Sequence, residues 1–89
     1  MDSEIFRANW RGWARSSEGY AVRLLGRNDL QYRDELGDLR LFAEPLATGE
    51  ILVETATIPN RPERPREVVV SRLRRAFKYR GWTLIEAGT

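Results

Sequence analysis

The chain contains no cysteine, no histidine, one methionine, and a single lysine, Lys78, among fifteen basic residues. Without thiols there is no disulfide, no thiol nucleophile and no cysteine-ligated zinc, and the composition fits a reducing compartment. Without imidazole, the usual general base near neutral pH is missing, and so are every Ser–His or Cys–His pair and the commonest transition-metal ligand. No run approaches the ~20 apolar residues needed to span a bilayer. The acidic start Met1-Asp2-Ser3-Glu4 leads into no apolar signal region. A cytoplasmic protein without membrane partners is the expectation. Glycines 12, 19, 26, 37 and 49 are scattered singly, so no phosphate-cradling loop is expected.

The 89 residues that are present leave room for one domain and one core. A chain of this size buries only about 60–65% of the surface its unfolded form exposes, so its stability is marginal. A hydrophobic content of 42% is that of a globular protein rather than a disordered one. The formal charge of +2 conceals an uneven distribution. Between residues 28 and 58 seven acids (Asp29, Asp34, Glu35, Asp38, Glu44, Glu50, Glu54) face two arginines. Between 61 and 80 eight basic residues face Glu63 and Glu67. Fourteen of the fifteen cations are arginine, whose planar fork suits carboxylates, phosphates and aromatic faces.

Residues 1–18 give no consistent period. Phe6, Trp10 and Trp13 fit one helical face, whereas Phe6, Ala8 and Trp10 alternate like a strand; Gly12 and Ser16-Ser17 oppose anything long. This segment is expected to be an irregular arm, with 19–89 forming the domain. From Tyr20 the pattern sharpens. Tyr20, Val22 and Leu24 alternate with Ala21 and Arg23, Leu30 and Tyr32 with Gln31 and Arg33, and Leu39, Leu41 and Ala43 with Arg40 and Phe42. Turn chemistry separates them at Gly26-Arg27-Asn28-Asp29 and Asp34-Glu35-Leu36-Gly37. The β-branched run Ile51 to Ile58 predicts a further strand, so an antiparallel meander follows.

Pro59, Pro62 and Pro65 make a stiff connection that cannot be a central strand or a helix interior. Beyond it, Arg66 to Arg80 carries Val69, Val70, Leu73, Ala76 and Phe77 on one helical stripe and Glu67, Ser71, Arg74 and Lys78 opposite. Gly81 stands where a left-handed cap belongs, and Trp82 to Glu86 reads as a last strand. The expected class is α+β: a meander of four to five strands with one amphipathic helix packed on one face, then a final strand.

Three groups of residues bear on function. Asp29, Asp34, Glu35 and Asp38 cluster around two turns, but their spacing matches no calcium loop, and aspartate is favoured in turns for local reasons. No metal, cofactor or catalytic residue is expected. The acidic meander suggests a protein partner, with Asp34, Glu35, Asp38 and Glu54 as charged contacts. The same acids equally serve to protect exposed strand edges from pairing with other chains. Trp10 and Trp13, on the arm, are expected contact anchors, since Trp dominates interface hot spots. The alternative is a nucleic-acid surface on the helix, formed by Arg72, Arg74, Arg75 and Lys78. The same charges also fit a solvated outer helix face. A monomer or weak homodimer fits either reading.

The run Gly19-Tyr20-x-Val22, Leu30-x-Tyr32-Arg33, Leu39-x-Leu41, the proline-rich connection and an Arg-rich helix closing on Gly81-Trp82 resembles small bacterial immunity proteins of polymorphic-toxin systems. Immunity-protein family seventy-four is the nearest type. The resemblance covers residues 19–87 and rests on the spacing of common residue types. It implies a non-enzymatic inhibitor that binds a cognate toxin, and it assigns no individual binding residue.

Overall fold

A computed structural model describes residues 3–87. Its seven strands are β1 (Phe6–Ala8), β2 (Ala14–Ser16), β3 (Ala21–Leu25), β4 (Asp29–Asp34), β5 (Gly37–Pro45), β6 (Glu50–Val53) and β7 (Thr83–Glu86). One helix, α1 (Arg66–Arg80), and a 3-10 turn, Thr55–Thr57, lie between β6 and β7. The strands form one sheet in chain order. Every neighbouring pair from β1 to β6 is antiparallel, whereas β6 and β7 run parallel.

The α+β class is as expected, and the sheet is larger than expected. Three-residue strands are too short to show a period, so β1 and β2 escape a pattern reading. They nevertheless pair with each other, and β2 pairs with β3 through Ala14↔Val22 and Arg15↔Ala21. The first eighteen residues therefore contribute two strands to the sheet. The run from Ile51 does not continue as a strand to Ile58: β6 stops at Val53 and the chain turns at Thr55–Thr57. Thr55 is buried there and donates its hydroxyl to Glu86 at 2.7 Å, while Ile58 is fully buried. The helix returns the chain across the sheet, so β7 joins β6 in the parallel sense that such a crossover permits.

Register explains the core. Val22↔Tyr32↔Leu39 and Leu24↔Leu30↔Leu41 place one set of alternating side chains on a single face. Against that face α1 buries Val69, Leu73, Ala76 and Phe77, at the i, i+4, i+7, i+8 spacing of one helical stripe. Tyr20, Ala43, Ile51, Val53, Ile58 and Leu84 complete the cluster. Each large apolar side chain so buried contributes about 1.5–3 kcal/mol. Asn60 Oδ1 accepts the N–H of Arg66 at 2.9 Å where the helix begins. It ends at Gly81, whose φ of 81° allows Trp82 N–H to reach back to the Phe77 carbonyl at 2.8 Å.

Candidate interaction surface

The helix covers one face of the sheet; the other carries no second layer. Strand alternation assigns that uncovered face to Arg7, Arg15, Ala21, Arg33 and Asp38 in one row, and to Trp13, Arg23, Gln31 and Arg40 in the next. Further along lie Leu25, Asp29 and Phe42, then Glu44, Leu52 and Ile85. The face thus has two zones. Arg7, Arg15, Arg23, Arg33 and Arg40, on β1 to β5, supply a basic one; Leu25, Phe42, Leu52 and Ile85, on β3 and β5 to β7, supply an apolar one bordered by Asp29, Glu44, Glu50 and Glu54.

In the apolar zone Phe42 is 45% exposed and Leu46 is exposed, with Leu25, Leu52 and Ile85 half-buried. Glu44 stands opposite Leu52, which stands opposite Ile85, so Phe42 is the diagonal neighbour of Leu52 across β5–β6. A diagonal pair is within reach of an aromatic ring.

The basic zone is internally braced. Trp13 is only 6% exposed, with the guanidiniums of Arg23 and Arg33 at 4.4 and 4.6 Å from its ring centroid. Arg23 donates to Gln31 Oε1 at 3.1 Å, Gln31 donates to Asp38 Oδ2 at 2.7 Å, and Arg33 forks onto Asp38 at 2.8 and 3.1 Å. The Arg33 fork holds the Asp38 carboxyl below the usual carboxylate range. Arg40 pairs with Asp29 at 3.2 Å. Among the described residues Arg7, Arg11, Arg15 and Arg23 make no ion pair with a carboxylate.

The residues expected to carry function are distributed differently. Asp34 is no surface contact: its side chain is 2% exposed and lies between Arg64 (2.5 Å) and Arg72 (3.6 Å). Burial raises its proton affinity, but the Arg64 fork, the Tyr32 hydroxyl and the Leu36 N–H outweigh burial and hold the carboxyl below its ordinary range. Tyr32, buried beside it, is pushed up to about 12. Asp38 is bound by Arg33, whereas Glu35 and Glu54 are exposed. Trp13 is sequestered under its two arginines, and Trp10 stands 87% exposed.

The helix arginines are largely engaged within the fold. Arg72 donates to the Tyr32 hydroxyl at 2.9 Å, and Arg74 pairs with Glu86 at 2.6 Å. Arg75 joins Glu4 and Glu18 at 3.1 and 3.2 Å, fastening the amino-terminal segment to the helix; Lys78 is exposed. Glu4 also accepts from the hydroxyls of Ser16 and Tyr20. Among the described residues, positive charge without a carboxylate partner stands on the sheet in the polar phase of successive strands, at Arg7, Arg15 and Arg23, and elsewhere at Arg11, Arg27, Arg61, Arg66, Lys78 and Arg80. That phase was the available signal, because Arg23, Arg33 and Arg40 all alternate with core residues.

Among the described residues no three acidic side chains converge as a metal site, and no helix is long and apolar enough to cross a membrane. No protein-family model, curated protein or solved structure matches the chain.

Proposed function

We propose that this chain is a non-catalytic protein-binding module that docks its partner on the helix-free face of the sheet, as an immunity protein does when it neutralises a toxin. One observation carries the reading: Phe42 and Leu46 stand in solvent beside Leu25, Leu52 and Ile85 on a face with no covering layer. An apolar centre bordered by charge is the anatomy of a protein interface. Phe42 is the anchor, and Glu54, with Glu44 and Glu50, forms the acidic border. The resemblance to immunity proteins supplies the class of partner, and an acidic border suits a toxin with a basic surface.

Titration calorimetry against toxin domains encoded in adjacent reading frames tests this function. A dissociation constant well below micromolar is expected. Phe42→Asp is expected to weaken binding at least tenfold while the chain stays folded: Phe42 is outside the core, and the new carboxylate opposite Asp29 lowers the melting temperature by only a few degrees. Binding no tighter than micromolar, or binding indifferent to Phe42→Asp, overturns the proposal.

A further inference from the structure

A different part of the molecule, the β1–β2 hairpin, holds two features that the core does not explain. The first is a like-charge pair. Arg7 and Arg15 stand directly opposite one another on adjacent strands, and neither has a carboxylate partner among the described residues. Like charges placed opposite across strands destabilise a sheet. A hairpin built of three-residue strands has little stability to give away, and an anion between the two guanidiniums would turn repulsion into attraction.

The second is Trp10. It stands in solvent at the hairpin tip, on a turn that is firmly held. Asn9 Oδ1 accepts the N–H groups of Arg11 and Trp13 at 2.9 and 3.1 Å, and Arg80 donates to the Gly12 carbonyl at 2.6 Å. The Arg11 guanidinium lies 4.7 Å from the indole centroid. The side chain is therefore an exposed plate on a rigid mount with a cation against it.

The two features are joined through Asn9, which neighbours Trp10 in the chain and lines two open depressions together with Arg15. One, of about 520 Å³, is shared with Arg11 and Arg33 and reaches Asp34 and Glu35 at its far side from the hairpin strands, and the other, of about 530 Å³, is shared with Ile5, Arg7 and Ser17. Together they make a trough alongside the hairpin, too open to enclose a small ligand and suited to a chain that passes across it. Guanidiniums along a trough with a stacking plate at its end are the elements by which proteins hold unpaired nucleotides. A protein anchor seated in a partner needs apolar neighbours to exclude water. Trp10 instead has Asn9, Arg11 and Gly12 beside it in the chain.

We propose that the β1–β2 hairpin binds single-stranded nucleic acid, with phosphates held by Arg7, Arg11 and Arg15 and a base stacked on Trp10. This site is independent of the Phe42 face.

The test is fluorescence anisotropy of the intact chain with a labelled ten-nucleotide oligouridylate, between about 50 and 200 mM salt. Three phosphate contacts at about 0.7 each give an expected slope of log K against log salt near −2. Trp10→Ala is expected to weaken binding about 5- to 150-fold, the range of one base stack. Arg15→Ala is expected to reduce the slope by about 0.7. Arg15→Glu pairs with Arg7, so the melting temperature is expected to rise by about 2–4 °C while binding is lost. A purely structural role would not separate those two readouts in that way. Arg74→Ala, which removes an equal charge from the helix, and Phe42→Asp are expected to change nothing. No binding at low salt overturns the proposal, as does a loss with Arg74→Ala equal to that with Arg15→Ala. A glutamate decapeptide that binds as tightly, depends on Arg15 and ignores Trp10 also overturns it, in favour of an acidic protein segment.

Discussion

Replacing Asp34 with alanine should come close to unfolding the protein. The carboxylate accepts from Arg64 Nε and Nη2, the Tyr32 hydroxyl and the Leu36 N–H, and faces Arg72 at 3.6 Å. It thereby ties β4 to the proline-rich connection through Arg64 and to α1 through Arg72. Arg64 and Arg72 side chains are only 12% and 19% exposed, so neither guanidinium can fully rehydrate once its counter-charge is gone. Breaking a buried pair by removing one partner costs about 3–5 kcal/mol. A domain of this length has about 5–10 kcal/mol in total. At about 4–8 °C per kcal/mol, the melting temperature should fall by roughly 12–40 °C. Arg64→Ala should cost less, about 1.5–3 kcal/mol, because Asp34 keeps Arg72, Tyr32 and Leu36. The double variant should lose at least ~1 kcal/mol less than the sum of the singles, since the two share one network. Urea denaturation followed by tryptophan fluorescence measures all three. If Asp34→Ala costs less than ~1 kcal/mol, or if the two losses simply add, the network does not organise the fold in the way its geometry implies.

Stability should be flat between about pH 5 and pH 9, because there is no histidine to titrate. Asp34 has a depressed folded pKa, so its contribution is complete above the unfolded value of about 3.9 and is lost as pH falls through the folded one. Tyr20 and Tyr32 have raised folded pKa values, chiefly through burial, so their contribution is complete below about 10 and is lost as pH climbs toward 12. A series of thermal melts checks both flanks, and a transition near pH 6.5 would contradict the assignment. Phe77→Ala, at a fully buried site, should cost about 3–5 kcal/mol, measured by urea denaturation. Gly81→Ala should cost about 1 kcal/mol by the same measurement, because it places a Cβ at φ 81° with no clash to worsen the loss.

The middle of the fold was legible because its strands are long enough to repeat. Five residues of alternation identify β3, and the helical stripe from Val69 to Phe77 fixes α1. The hairpin of β1 and β2 was not legible, because a three-residue strand shows barely one period and its aromatics fit two periods equally. Parallel pairing of β7 was hidden as well, since strand direction depends on where a crossover lands rather than on composition. The distribution of surface charge was hidden for a related reason. Charge counted along the chain makes the helix look basic and the meander acidic, whereas folding neutralises Arg64, Arg72, Arg74 and Arg75 against Asp34, Glu86, Glu4 and Glu18. Among the described residues the cations left without a carboxylate partner are Arg7, Arg11, Arg15, Arg23, Arg27, Arg61, Arg66, Lys78 and Arg80, a set spread along the whole chain that no single window collects. Asp34 reads as a turn residue and serves as one through Leu36 N–H, but its burial follows from a contact thirty residues away in Arg64.

The single parallel junction also divides the molecule by the sequence distance its contacts must close. Hairpins from β1 to β6 join neighbours in the chain and can zip on a microsecond scale. Pairing Glu50–Val53 with Thr83–Glu86 requires the intervening segment to be brought round first, and loop closure is unrewarded until the helix docks. Early assembly therefore belongs to the meander, and the crossover is the late event. In a kinetic study Leu30 variants should slow refolding, while Leu84 variants should mainly speed unfolding.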